Sequence, residues 1–172
     1  MISRTMQDAI NEQIKHEFFS AYLYLAMAAY CEAANLAGFG HWMRIQNQEE
    51  TAHAIKFFDH VIDRGGRVAL QALDQPPSDF KSPLEMMQFA LGHERKVTGL
   101  IHRLFELAVK ENDPPTQVLL QWFITEQVEE EKTASQIVEQ LKMIGDQGVA
   151  LHMLDRELSA RMAGTAADPN TA

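Results

Sequence analysis

The chain has 172 residues, enough for one domain with a buried core, and 46% of them are apolar and 23% charged, ordinary values for a globular protein. The 15 basic and 24 acidic residues leave a net charge of −9, which argues against nucleic acid as a partner, because phosphate binding needs a basic stripe, and suits the attraction of cations. No apolar run approaches the ~20 residues of a membrane span, and the single cysteine, Cys31, forbids an internal disulfide and reads as a small buried apolar group. The start "MISRTMQDAINEQ" lacks the basic-then-apolar pattern of a secretory leader. A reducing, cytoplasmic location and no membrane partner are therefore expected.

Strand signals are poor, and helix signals come in long blocks. The first helix is expected from an N-cap at Ser3 to Asn35, and the second from about Gly38 to Arg64, where Gly65-Gly66 supplies a stop. The third starts at Ser82-Pro83, a cap followed by proline at the first helical position, carries Glu85 in its first turn and ends near Asn112. The fourth follows Pro114-Pro115 and ends at Gly145, and a short fifth is expected from Asp146 to about Met162. Residues 163–172 lack apolar periodicity and are expected to be disordered, leaving 1–162 as the folded domain. Short loops, "NLAG" and "NDPP", make antiparallel pairs of helices one and two and of helices three and four. The long polar stretch "GGRVALQALDQPPSDFK" can run the whole side of a bundle, at ~3.3 Å per residue, and join the pairs as one crossover.

Each long helix carries an apolar stripe at helical spacing, and each stripe is broken near its centre. Glu17 interrupts Ile10, Ile14, Ala21, Tyr24 and Ala28. Glu50, with His53 one turn on, interrupts Met43, Phe57 and Val61. Glu94 lies within Met87, Leu91, Val97, Ile101 and Phe105, and Gln127 and Glu130 lie within Leu120, Phe123, Ala134, Val138 and Leu141. One glutamate on such a stripe is usually a carboxylate with a nearby partner. Four helices broken at one level are harder to dismiss, because buried like charges cost several kcal/mol and repel, and no lysine or arginine falls on the stripes near the breaks. Glu17, Glu50, Glu94 and Glu130 sum to −4, which matches a pair of divalent ions. Oxygen donors with one imidazole favour iron or manganese. Glu50-x-x-His53 puts both donors on one helix face.

At these residues the sequence resembles the bacterial non-haem ferritins over about residues 1–162. The resemblance is carried by "NEQIKHEFFSAYLYLAM", "QEETAHAIKF", Glu94 in "ALGHERKV", and "LQWFITEQVEEEK" with Trp122. It implies an all-α, ferritin-like four-helix bundle with one long crossover and a short fifth C-terminal helix. It implies a ferroxidase that oxidises Fe(II) with O2 or H2O2 at an intrasubunit di-iron centre and stores Fe(III) as a ferric oxyhydroxide mineral inside a homo-oligomeric shell of twenty-four subunits. Glu17, Glu50 and His53 would hold the first iron, with Glu50 bridging. Glu94, Gln127 and Glu130 would lie around the second, and Glu49, Glu126 and Glu129 would form a third site on the cavity side, toward which Glu130 can also lean. Glu131 points further away, as a solvated or intersubunit charge. Tyr24 would hydrogen-bond a ligand or give up an electron. The fifth helices would meet at fourfold channels through Val149, Leu154 and Leu158.

Two departures argue against haem. Thr51 follows the second-helix glutamate where haem-binding relatives look to need methionine, and Gln127-x-x-Glu130 stands where they carry a second Glu-x-x-His. A neutral amide is a weak ligand, so the second iron is expected to be loosely held. "HERKV" lacks the second histidine of a zinc peptidase, and the nine methionines fall mostly at core spacing. His41, His60, His102 and His152 read as surface or core groups. The alternatives are a di-iron peroxidase or oxygenase on the same bundle, a non-catalytic helical oligomer, and a DNA-protecting mini-ferritin. The last is disfavoured because the ligands lie on the chain's own four helices and the tail is not basic.

Overall fold

The structure, a computed structural model, describes residues 1–162; the tail expected to be disordered lies outside the described residues. Five helices follow in order: α1 (Arg4–Ala33), α2 (Ala37–Asp63), α3 (Pro83–Lys110), α4 (Pro114–Ile144) and α5 (Gly148–Leu158). Their starts are set by local chemistry. Ser3 Oγ accepts from the Met6 amide at 3.2 Å, Ser82 Oγ from Glu85 at 3.1 Å, and Asp113 Oδ1 from Thr116 at 3.3 Å, each satisfying an amide that the first helical turn leaves unpaired. Left-handed residues close the ends: Asn35 (φ 57°) after α1, Gly65 (φ 70°) after α2, Asn112 (φ 51°) after α3 and Gly145 (φ 54°) after α4.

α1 packs chiefly on α2 and α3 on α4, as the two short loops require. The crossover can be followed along α1 by its partners. Near its start, the Arg67 amide donates to Gln7 Oε1 at 2.9 Å and the Ala69 amide to Asn11 Oδ1 at 3.0 Å. Near its end, Phe80 lies edge-on to Tyr30 with ring centroids 5.4 Å apart. Between Gln7 and Tyr30 lies about 35 Å of helix at 1.5 Å per residue. The connection therefore travels nearly the full length of α1, and the bundle has the single long crossover expected of it.

The core divides into two apolar clusters. One gathers Leu23, Met27, Phe39, Met43, Leu91 and Val138, and the other Ile10, Ile14, Phe57, Val97, Ile101 and Phe123. In sequence, every break in the apolar stripes falls between members of the two clusters, so a polar layer separates them. Cys31 is buried in the first cluster, and its thiol is pushed up to about 12, first by burial and then by the charge of Asp155.

α5 is shorter than Asp146–Met162. Asp146 and Gln147 form the turn that follows the left-handed Gly145, and after Ser159 the chain leaves the helix so that the Arg161 carbonyl pairs with His41 Nε2 at 2.8 Å. Its apolar face also differs from expectation. Leu154 and Leu158 are buried against their own bundle, while Val149 and Met153 are 78% and 67% exposed. The cause is a close crossing at Gly38, where a Cβ would sit 1.6 Å from the Asp155 carbonyl oxygen. Leu36, the N-cap of α2, contributes no side-chain hydrogen bond there; Asp155 Oδ1 accepts from the Phe39 amide instead, at 2.9 Å. Among the described residues no helix is long and apolar enough to cross a membrane.

Candidate metal centre

Glu17, Glu50, His53, Glu94, Gln127 and Glu130 are all buried, between 1% and 6% exposed, and come from the four long helices. One donor atom each from Glu17, Glu50 and His53 lies within 4.8 Å of the others. The Glu50 Oε2 to His53 Nδ1 distance is 3.6 Å. The imidazole is held by rings from α4: Trp122 edge-on at 5.3 Å and Phe123 at 5.6 Å. Phe123 is in turn stacked on Phe57 at 4.0 Å. Gln13 Nε2 donates to Glu17 Oε1 at 2.7 Å.

The remaining acids are turned to partners within the chain. Tyr24, fully buried, donates its hydroxyl to Glu94 Oε1. Gln127 Nε2 donates to Glu94 Oε2 at 3.2 Å and to the Glu94 carbonyl at 3.2 Å. Gln46 Nε2 donates to Glu130 Oε2 at 2.8 Å, and Arg161 Nη2 pairs with Glu49 Oε2 at 2.8 Å. Glu126 is half-buried and Glu129 exposed, both on the same stretch of α4. Glu126 feels the charges of both Glu129 and Glu49. Glu131 takes a 2.6 Å hydrogen bond from Thr98 and lies 3.8 Å from Arg95, so it has partners within its own chain.

Electrostatics follow from this crowding. Burial, then the charges of Glu94, Glu17 and Glu130, raise the Glu50 carboxyl well above the ordinary range. Burial raises Glu94 against the hydrogen bonds of Tyr24 and Gln127. Burial and the Glu94 charge raise Glu130, which Gln46 and Arg161 pull partly back. Glu126 is raised by burial, and the Tyr24 hydroxyl by burial and then Glu94. Glu50, Glu94 and Glu130 are thus pushed toward their protonated forms first by burial, with neighbouring acids adding to it. A ligand that fits this layer must be positive. The Gln46 Oε1 oxygen, buried with no hydrogen-bond partner, adds an acceptor to the same layer. Carboxylate oxygens with one imidazole suit divalent iron or manganese.

A family model for the ferritin-like domain matches residues 7–144. The chain belongs to the ferritin family. Among its relatives, the bacterial non-heme ferritin of Bacteroides fragilis is 43% identical over 161 residues, covering 94% of this chain and all of the relative. That of Staphylococcus haemolyticus is 39% identical, covering 94% of this chain and 97% of the relative. Among solved structures, an engineered closed form of the Archaeoglobus fulgidus ferritin superposes with a TM-score of 0.94 at 50% identity, covering 95% of this chain and all of that one. The open-pore ferritin of the same archaeon superposes at 0.92 and 51%, covering 94% and 98%.

In this ferritin fold Tyr24 pairs with Glu94, as a tyrosine expected to hydrogen-bond a ligand would, but sequence reasoning did not single out Gln13, Gln46 or Arg161 as partners of the acids. Gln13 stands one turn before Glu17, so its i, i+4 spacing on the same face was the available signal, whereas Gln46 reaches Glu130 across the bundle and had none. Gln127 was expected beside the second iron as a weak ligand; here its amide nitrogen faces Glu94, so it orients that carboxylate. Arg161 had no signal, because it reaches Glu49 only through the docking of α5.

Proposed function

We propose that this ferritin takes up iron(II) as its substrate, oxidises it at an intrasubunit paired site and retains the ferric product as a mineral inside a shell of twenty-four copies. The observation that carries this reading is the buried trio Glu17, Glu50 and His53, within 4.8 Å, set in a layer of carboxyl groups raised by burial. Family membership and the non-heme ferritins among the relatives support the iron assignment.

Glu17, Glu50 and His53 would hold one ion, with Glu50 also facing a second among Glu94, Gln127 and Glu130. Binding would displace protons from the raised carboxyls, and the positive charge of the ion would offset the repulsion between the carboxylates so formed. In the redox step two iron(II) ions lose one electron each, and a dioxygen gains both electrons and two protons to leave as hydrogen peroxide. With hydrogen peroxide as oxidant, the same two electrons and two protons give two waters. Tyr24 holds Glu94 through its hydroxyl and, as a buried phenol on the layer, would be able to supply a further electron. The His53 ring is fixed by Trp122 and Phe123, so the protein's part is to hold both ions and the oxidant in place. Glu49, Glu126 and Glu129 would form an outer site through which ions reach or leave the pair. The donor set holds no methionine beside Glu50, which supports a centre without haem.

The test is aerobic iron(II) oxidation by the purified protein, followed by absorbance, with particle size measured by light scattering. Rapid oxidation by a large hollow particle supports storage. A small oligomer that leaves iron(II) unoxidised overturns it and favours a non-catalytic helical assembly.

A further inference from the structure

One cation is already built into the acidic layer, and it comes from the end of the described chain. Beyond α5, Arg161 is tied to α2 at three points. Its carbonyl pairs with His41 Nε2 at 2.8 Å, its guanidinium lies 4.8 Å above the Trp42 ring, and its Nη2 reaches Glu49 Oε2 at 2.8 Å. Its second terminal nitrogen, Nη1, is buried without a hydrogen-bond partner, so this seat satisfies the guanidinium only in part. Arg161 and Trp42 both line an open groove of about 860 Å³. The side chain therefore has room to swing away from Glu49 without unpacking the bundle.

We infer that Arg161 is an internal competitor for the outer ion site: its guanidinium holds Glu49 when that site has no ion, and an ion bound by Glu49, Glu126 and Glu129 drives it off into the groove. This rests on the outer-site reading of those three glutamates. A carboxylate oxygen cannot serve a guanidinium and a metal ion at the same lone pair, and two cations at one carboxylate repel. The competition has two consequences. Ions are held more weakly at the outer site than three carboxylates alone would hold them, which suits a site of passage. By linkage, each arriving ion also weakens one of the ties between the segment after α5 and α2, and the effect runs equally in both directions.

Trp42 reports the event, because departure of the guanidinium from its ring changes its emission. Zinc, which has no redox chemistry, would be titrated into the assembled protein carrying Trp122→Phe, so that Trp42 is the remaining indole. Zinc stoichiometry and affinity would be measured in parallel by calorimetry, and Glu126→Ala with Glu129→Ala would identify the outer-site phase. The expected result is a Trp42 emission change that follows that phase and is lost in the Glu126/Glu129 variant. Arg161→Gln should abolish the change and tighten outer-site zinc about fivefold, at the low end of site-to-site coupling. Arg161→Lys, which keeps the charge, should keep the weaker affinity. If Arg161 only braces α5, Arg161→Gln lowers Tm but leaves zinc affinity unchanged, and the inference falls. Outer-site zinc with silent Trp42 emission and equal affinity in wild type and Arg161→Gln overturns this inference alone. Zinc that binds only at the paired site overturns both it and the outer-site reading.

Discussion

Two buried polar clusters in this ferritin differ in how their charge is balanced. At one end of the bundle, Arg64 Nη1 donates to Asp113 Oδ1 at 2.6 Å, to Asp113 Oδ2 at 2.8 Å and to Thr116 Oγ1 at 2.9 Å, and Thr116 also meets His60 Nε2 at 2.9 Å. Burial alone would raise the Asp113 carboxyl, but the bonds from Arg64 and Thr116 win and hold it below its ordinary value. At mid-height, burial and neighbouring acids outweigh the pull of Arg161, and Glu50, Glu94 and Glu130 all go up. The first cluster is complete within the chain and ties the end of α2 to the start of α4. The second is left with more acid than Arg161, which pairs with Glu49 and lowers Glu130, can balance. Burial of charge is thus no sign of function by itself; an unbalanced sum is.

The contrast can be broken at either end. The largest effect is expected at mid-height, where Glu50→Ala combined with His53→Ala should slow iron(II) oxidation on the order of a thousandfold, as loss of preorganised groups at a reacting centre does. Stopped-flow absorbance would measure the rate, and light scattering would check that the particle size is unchanged. Unaltered kinetics would remove the paired site. Metal-free stability in that variant should hold steady or rise, since replacing buried charge by apolar groups is often neutral or stabilising.

The opposite outcome is expected at the bundle end. Arg64→Met leaves Asp113 buried without its base and should cost about 3 kcal/mol by denaturant unfolding, while oxidation at the intact mid-height layer stays near the wild-type rate. A stable Arg64→Met variant would mean that Asp113 has found water, and the two clusters would no longer differ in kind.

The smallest effect is a pH trend of opposite sign in the two clusters. Glu94 and Glu130 rise from an ordinary 4.5 to about 7 and about 8 in the folded chain. Groups raised on folding stabilise below their unfolded value and lose that contribution as pH climbs through the folded one. The metal-free protein should therefore lose on the order of 1 kcal/mol, about 3 °C in Tm, between roughly pH 6 and 8.5. Zinc loading should flatten or reverse the trend, because the ion binds the ionised carboxylates. Asp113, lowered on folding, contributes throughout this window and gives up its share only in acid. A metal-free Tm that climbs over the same window would contradict the raised carboxyls.

Much of this was legible in the chain itself. Ser3 and Ser82 mark helix starts that the structure repeats, and the stripes interrupted by Glu17, Glu50, Glu94 and Glu130 map onto the polar layer between two apolar clusters. These features are local or periodic, so 3.6 residues per turn was enough to read them.

What only the tertiary structure decided is which partner each polar group finds. Glu94 turns to Tyr24 and Gln127, Glu130 to Gln46, Glu49 to Arg161, and Asp113 to Arg64, over separations from 33 to 112 residues. The i, i+4 spacing of Leu154 and Leu158 puts them on one face, but that face turns inward through the close crossing of α5 on α2 at Gly38. Helical periodicity says which side of a helix a residue occupies. It carries no information about the neighbour across the gap, which depends on how helices distant in sequence are brought together, and that choice of neighbour separates a braced salt bridge from an open seat for metal.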